Sequence, residues 1–397
     1  MTVDGPPRFT HGSGVLLFDA AGNTYLDLLC EWGVAPLGWN PPEVVQAVAR
    51  SLAENSFAAR HWAGDLGDRL AAELRAGLGH EGYAVFPALS GSEAVDMALR
   101  IARRATGRPG ALYLGGAYHG STLAARAACG VRGWVTEEER GGFPNVEIPV
   151  GPGGEIDLDR VEREIRAGPG LGCLILEPLR ANAGFVALDP ARMRGLRALC
   201  REHGLLFIAD EITEAPARCG VWCGMHHFGE QADVLLLGKS LSAGVFPIAA
   251  VAVAPEFARF AEAPGFFSTF AWTPPACAGA LATLEVISSR DLVERARRLR
   301  AQVEDQLEEI RRFPGVTAVA GMGMGFGIGV REDGRSPPVR VELARRLRLR
   351  GVIVGPNPNL PGLVLMPPLT IELAELRRGL QAILEVIASA PDGGVVA

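Results

Sequence analysis

Apolar residues follow two different rhythms along the chain. Gly14-Val-Leu-Leu-Phe-Asp19 and Thr24-Tyr-Leu-Asp-Leu28 flank an Ala-Ala-Gly-Asn turn and predict a hairpin. From residue 42 the spacing becomes helical, over Pro42–Ser51, Leu66–Leu78 and Glu93–Arg104. The last of these carries Ala94, Val95, Ala98, Leu99 and Ala102 on one face, and Thr106-Gly107 ends it. Short apolar runs then alternate with helical stretches: Ala111–Leu114, Leu174–Glu177, Leu205–Asp210, Val234–Lys239 and Ile248–Val253. Runs that are apolar on both faces and separated by helices predict an α/β fold with a largely parallel sheet covered on both sides.

After Pro274-Pro275 one long helical stretch is predicted through to Arg312, followed by an α+β mixture. Gly321 to Gly329 alternates glycine with apolar residues, which suits a strand with another backbone close against one face. It lacks the third glycine of a dinucleotide fingerprint. Gly151–Gly154 and Ser336–Pro338 read as loops, and Arg340–Arg350 as a helix with a solvated basic face.

Composition narrows the function. The chain has 397 residues, 48% hydrophobic and 21% charged, which fits a folded protein of two or three domains. The net charge of -6 leaves no field to hold a nucleic acid. No apolar run reaches the roughly 18 residues of a membrane span, and Met1–Pro6 has no basic region leading into one. A cytoplasmic protein is expected. Seven cysteines, an odd number lying mostly within apolar segments, read as reduced core residues.

The 39 basic residues include a single lysine, Lys239. Arginine stays protonated, whereas a desolvated lysine can lose its proton and attack a carbonyl. Lys239 and Asp210 each end an apolar run, so in an α/β sheet both face the ligand crevice at the carboxyl edge. A lysine and a carboxylate placed there suit pyridoxal phosphate, the amine holding its aldehyde as a Schiff base and the acid keeping its ring nitrogen protonated. Ser90-Gly91-Ser92-Glu93 opens a helix, fits a capping box, and leaves backbone N–H groups for a phosphate.

Together these segments resemble the class III (ω-) aminotransferases, fold-type I pyridoxal-phosphate enzymes, over nearly the whole chain. The strongest stretch is Asp210-Glu-Ile-Thr-Glu-Ala-Pro-Ala-Arg-Cys-Gly220, with His227-Phe-Gly229, Ala232-Asp233, Leu237-Gly-Lys-Ser240, Ser242-Ala-Gly244 and Pro247-Ile-Ala249. The resemblance implies a large domain over 46–288, with a mostly parallel sheet flanked by helices, and a small α+β domain built from 1–45 and 289–397. It makes Lys239 the Schiff-base lysine and Asp210 the partner of the pyridine nitrogen. Ile212 and Tyr118 of Tyr118-His119-Gly120 then cover the two ring faces, with His119, Glu177 and Thr213 close by. Ser90, Gly91 and Ser92 bind phosphate, joined by Thr269 from the neighbouring subunit of a homodimer. Cys219-x3-Cys223-x2-His226-His227 has the residue types of a zinc site. The resemblance instead puts them in the loop between Asp210 and Lys239, and no metal is expected.

Three positions depart from that pattern. Val364, before Pro367-Pro368, stands where family members that use glutamate commonly carry a carboxylate-gripping arginine. The segment Leu179-Arg180-Ala181-Asn182 lacks that arginine's usual glutamate partner, and Thr213 replaces a common glutamine. The expected activity is therefore transfer of an amino group between a donor and an aldehyde, ketone or oxo-acid acceptor, a biosynthetic intermediate not held by the usual arginine. That substrate is either a small molecule or linked to a carrier or peptide. Trp32, Trp39 and Trp62 are expected to line its pocket, with Arg180 as a replacement anion binder. An aminomutase, racemase or decarboxylase on the same fold shares the cofactor residues and is the alternative. A retired enzyme kept as a scaffold is opposed by the presence of Lys239 and Asp210.

Overall fold

The computed structural model describes residues 7–58, 65–131, 133–151, 153–168, 170–262, 268–334, 336–357, 359 and 361–389. Its strands, in chain order, begin with β1 (Phe9–Ser13), β2 (Leu16–Asp19), β3 (Thr24–Asp27), β4 (Ala84–Ala88), β5 (Gly110–Leu114) and β6 (Val146–Ile148). Next come β7 (Leu171–Leu176), β8 (Leu179–Arg180), β9 (Val186–Ala187), β10 (Leu206–Asp210), β11 (Val234–Leu237) and β12 (Ala249–Val253). The last are β13 (Val316–Ala320), β14 (Phe326–Val330), β15 (Val352–Ile353), β16 (Gly355–Asn357) and β17 (Gly362–Leu365).

The central sheet has the order β4-β12-β11-β10-β7-β5-β6. Its strands run parallel except β12, which is antiparallel to both β11 and β4. Successive residues of the apolar runs feed opposite faces, as a pleated strand requires. Leu174, Phe207 and Leu235 enter one core cluster, and Ile175, Ile208 and Leu236 the other. The helix Gly91–Thr106 covers the second face with Ala94, Val95, Ala98, Leu99 and Ala102, the stripe read from its spacing. The helix Pro190–His203 covers the first with Met193, Leu196 and Cys200.

The chain's two end regions meet in a second sheet. The predicted hairpin forms from β2 and β3, and β15 pairs with β3 in parallel, Val352 opposite Leu26. A third, antiparallel sheet has the order β13-β14-β17-β16.

Several elements differ from the hydrophobic reading. β4 and β6 were hidden among stronger helical signals, both being short, β4 broken by Pro87 and β6 by Glu147. The long helix after Pro274 breaks into Pro274–Ser289, Leu292–Gln302 and Glu304–Arg311. The first break falls at Asp291, whose φ of +45° a continuous right-handed helix excludes. The glycine-rich stretch is a turn over 321–325 and a strand only from Phe326. Its close backbone contact is present: a Cβ on Gly327 would lie 2.3 Å from the Gly184 carbonyl oxygen. Among the described residues, no helix is long and apolar enough to cross a membrane.

Candidate active site

Asp210 closes β10, and Lys239 lies two residues beyond β11, its parallel neighbour. Both side chains therefore emerge at the same sheet edge. There a cavity of about 170 Å³ is lined by Ser90, Gly91, Ser92, Tyr118, His119, Gly120, Glu177, Asp210, Ile212, Thr213 and Lys239. Sequence reading had singled out all of these as site residues except Gly120.

Buried polar groups in this wall are held by short bonds. Asp210 Oδ2 meets His119 Nδ1 at 2.7 Å with both side chains buried, and Asp210 Oδ1 accepts from the Ile212 N–H at 3.2 Å. Glu177 accepts from the Tyr118 N–H and the Ala181 N–H, each at 2.8 Å, and burial pushes its carboxyl above the usual range. Lys239 Nζ donates to Thr213 Oγ1 at 2.7 Å. Removal from bulk water lowers the proton affinity of this amine, against the opposing pull of Glu177 and Asp210. Lys239 sits at φ +39°, a conformation in which a side chain with a Cβ is strained.

The opposite lip is the N-terminus of the helix Gly91–Thr106, where the first N–H groups have no intrahelical acceptor. Ser90 Oγ accepts from the Glu93 N–H at 3.3 Å, as a cap should. Glu93 does not complete the predicted box; it reaches one residue further back, to the Leu89 N–H at 2.5 Å. Glycine is required at 91, since a Cβ there would lie 2.9 Å from Ile212 Cδ1. Ser92 Oγ accepts from the Ser121 N–H at 3.0 Å and so ties the helix start to the Tyr118–Ser121 loop.

Other predicted residues lie elsewhere. Thr269 is exposed and does not line this chain's cavity. Trp39 turns away: its indole N–H donates to Asp27 Oδ2 at 2.8 Å. Trp32 is half-buried against the apolar cluster of Leu179, Ala181, Phe185, Cys219, Val364 and Met366. Trp62 lies outside the described residues. Arg180 is buried, but its Nη2 donates to the Gly115 carbonyl at 3.0 Å and it does not reach the cavity lining. The rings of the zinc-like motif hold backbone carbonyls, His226 that of Leu78 at 3.2 Å and His227 that of Cys219 at 3.0 Å.

Two further acids of the Asp210–Glu214 segment, without a role in the sequence pattern, are fully buried. Glu211 accepts from the N–H groups of Gly224 and Met225 at 2.6 and 2.7 Å, and burial lifts its carboxyl to about 7. Glu214 accepts from the Leu179 N–H at 3.1 Å and is pushed well up by burial and by Glu211. Nothing in Asp210-Glu-Ile-Thr-Glu214 announces this, because burial is a property of the fold.

The family model for class-III aminotransferases matches residues 5–387. The chain belongs to that family. Among relatives of this class III aminotransferase, the 4-aminobutyrate aminotransferase GabT of Escherichia coli is 33% identical over 314 residues, 74% of this chain and 72% of its own. The mitochondrial ornithine aminotransferase of Rattus norvegicus is 29% identical over 398 residues, 97% of this chain and 87% of its own. A solved ornithine aminotransferase from Toxoplasma gondii, with pyridoxal phosphate at partial occupancy in its active site, superposes with a TM-score of 0.84. It is 26% identical, and the match covers 97% of this chain and 91% of that one. An S-selective transaminase from Arthrobacter, 23% identical with a TM-score of 0.87, shares the fold over 96% of this chain and 92% of its own.

Proposed function

We infer that this chain is a pyridoxal-phosphate-dependent aminotransferase, moving an amino group between a donor and an aldehyde, ketone or oxo-acid acceptor. One observation carries the reading: a buried lysine, a carboxylate on the adjacent strand and the open N-terminus of a long helix meet in one cavity. The residues fit the cofactor. Ser90, Gly91 and Ser92 offer donors for its phosphate, Asp210 a charge for its ring nitrogen, Ile212 and Tyr118 two faces, and Lys239 an amine for its aldehyde. When bound, the cofactor supplies an electron sink for a carbanion on the substrate carbon.

The protein's part is to hold groups and move a proton. Lys239, its proton affinity lowered by burial, serves as the base that takes a proton from the substrate carbon and returns it. Thr213 fixes where that amine sits. His119 and the Ile212 N–H hold Asp210 in one orientation, and Glu177 anchors the backbone of Tyr118.

A homodimer belongs to this reading. Phe270, 61% exposed, meets Phe57, 45% exposed, edge to face, beside Thr269. An apolar surface of that kind favours cover by a second copy, which would carry Thr269 to the neighbouring phosphate site. A cytoplasmic location accompanies it, since all seven cysteines are free and buried. Val364 and the acid-free segment Leu179-Arg180-Ala181-Asn182, where the resemblance puts an ion pair, favour a substrate gripped by something other than a carboxylate clamp. Such a substrate can be free or linked to a carrier or peptide.

The test is an absorbance spectrum of the protein loaded with pyridoxal phosphate, followed through additions of amines and amino acids. Loss of the visible band on adding a donor, and its return on adding an acceptor, are expected. A band that no donor discharges would move the assignment to a mutase, racemase or decarboxylase.

A further inference from the structure

Directly after Asp210 the chain turns back. The N–H groups of Glu214 and Ala215 both donate to the Glu211 carbonyl, at 3.0 and 2.9 Å, so Glu211 to Glu214 make one turn. Side chains three apart in such a turn share a side, which sends Glu211 and Glu214 together into the interior while Asp210, Ile212 and Thr213 line the cavity. Both acids are 0% exposed. Each is anchored to a different segment: Glu211 Oε2 and Oε1 accept from the N–H groups of Gly224 and Met225 at 2.6 and 2.7 Å, and Glu214 Oε1 from that of Leu179 at 3.1 Å.

One oxygen is left over. Glu214 Oε2 is buried with no hydrogen-bond donor among the described residues. It faces the other acid: a Cβ on Gly224 would lie 2.6 Å from Glu214 Oε2 and 3.2 Å from Glu211 Oε2, so both oxygens border one point, and the two carboxyl groups are within hydrogen-bonding reach of each other. Two anions that close, out of water, repel strongly and leave Glu214 Oε2 unsatisfied. A proton on that oxygen removes both costs, because an O–H donated to a carboxylate makes a strong bond. Other charges facing the pair are Asp210 and Glu177, which add to the repulsion, and Lys239, which opposes part of it. The thiols of Cys219 and Cys223 also face it, and burial holds them protonated.

We propose that Glu211 and Glu214 share one proton at neutral pH, and that this proton clasps the turn carrying Asp210, Ile212 and Thr213 to Leu179 and to Gly224 and Met225. Nothing in the clasp requires a cofactor, so it stands apart from the aminotransferase reading. Burial raises the Glu211 carboxyl to about 7; burial and then the Glu211 charge raise that of Glu214 well above its ordinary range. An acid that keeps its proton in the folded chain and loses it on unfolding contributes stability that is complete below the ordinary carboxyl range and is lost as pH rises toward the folded value. The clasp therefore weakens on the alkaline side.

Denaturant unfolding of the holoenzyme is compared with that of Glu214→Gln at about pH 6, 7 and 8, at one protein and one cofactor concentration. Glutamine keeps an oxygen for the Leu179 N–H and offers Glu211 a permanent N–H, so the variant has the clasp without the proton. The ratio of wild-type to variant folding constants is expected to fall about tenfold per pH unit, the effect of one proton. A ratio that does not change with pH means that Glu214 is ionised in the folded chain, and overturns the proposal. A second readout does not depend on the variant folding. In heavy water at about pH 8 exposed carboxyls are ionised, and the wild type is expected to keep the infrared carbonyl stretch of a protonated carboxyl. Absence of that band overturns the shared proton, and its persistence in folded Glu214→Gln assigns it to another acid with the same consequence.

Discussion

Around Lys239, buried polar groups are paired at short range: Asp210 with His119 at 2.7 Å, Lys239 with Thr213 at 2.7 Å, and Glu177 with the Tyr118 N–H at 2.8 Å. Around Val364 the buried wall is Leu179, Ala181, Phe185, Cys219 and Met366, bordered by Trp32. The first region follows the pattern of the resemblance apart from Thr213; the second is where the chain departs from it most. Two regions a few residues apart thus obey different constraints. Polar groups in the first are tied to one another and to a shared chemistry, so a change in one strands the rest. Apolar neighbours in the second need only fill space, so they can be exchanged as the substrate changes.

The largest effect is expected at Lys239. Lys239→Ala should lower turnover by about 10³-fold or more while the far-UV spectrum is retained, because no other lysine can replace it. Substantial residual transamination would break the first half of the comparison. Next comes Val364→Arg, which places a charge among buried apolar side chains and should cost about 3–5 kcal/mol in denaturant unfolding. A stable variant with a new affinity for oxo-acids would show instead that the wall is open to solvent and tolerates a clamp. The smallest effect belongs to Arg180→Met. Among the described residues its guanidinium bonds the Gly115 carbonyl and no carboxylate, so replacement by an apolar side chain of similar length should change stability by no more than about 1 kcal/mol. KM for carboxylate-bearing acceptors should not change; a tenfold rise would return Arg180 to the substrate.

Much of the first region was legible before any fold was known. Lys239 and Asp210 stand at the ends of apolar runs, and a strand end in an α/β sheet has one direction to face. Ser90-Gly91-Ser92 stands where a helical period begins, and the open N–H groups of a helix start suit an anion. Less of the second region could be read. Trp39 and Trp32 are alike as residues, and only the position of Asp27 turns the first indole away from the cavity. Arg180 gave no sign that it would be buried onto a carbonyl of the Gly115 segment, 65 residues earlier.

By itself the sequence determined the order of the longer apolar strands and helices, the sheet edge at which Asp210 and Lys239 stand, and the presence of a single lysine. Those follow from periodicity and residue type, which act over a few neighbours along the chain. Tertiary structure alone decided which polar groups lost water and which found partners. It buried Glu211 and Glu214, bonded His119 to Asp210, and forced Cys30–Trp32 into a left-handed turn held by Asp27 and Ser240. Desolvation and strain depend on atoms brought together from distant parts of the chain, and no local pattern encodes them.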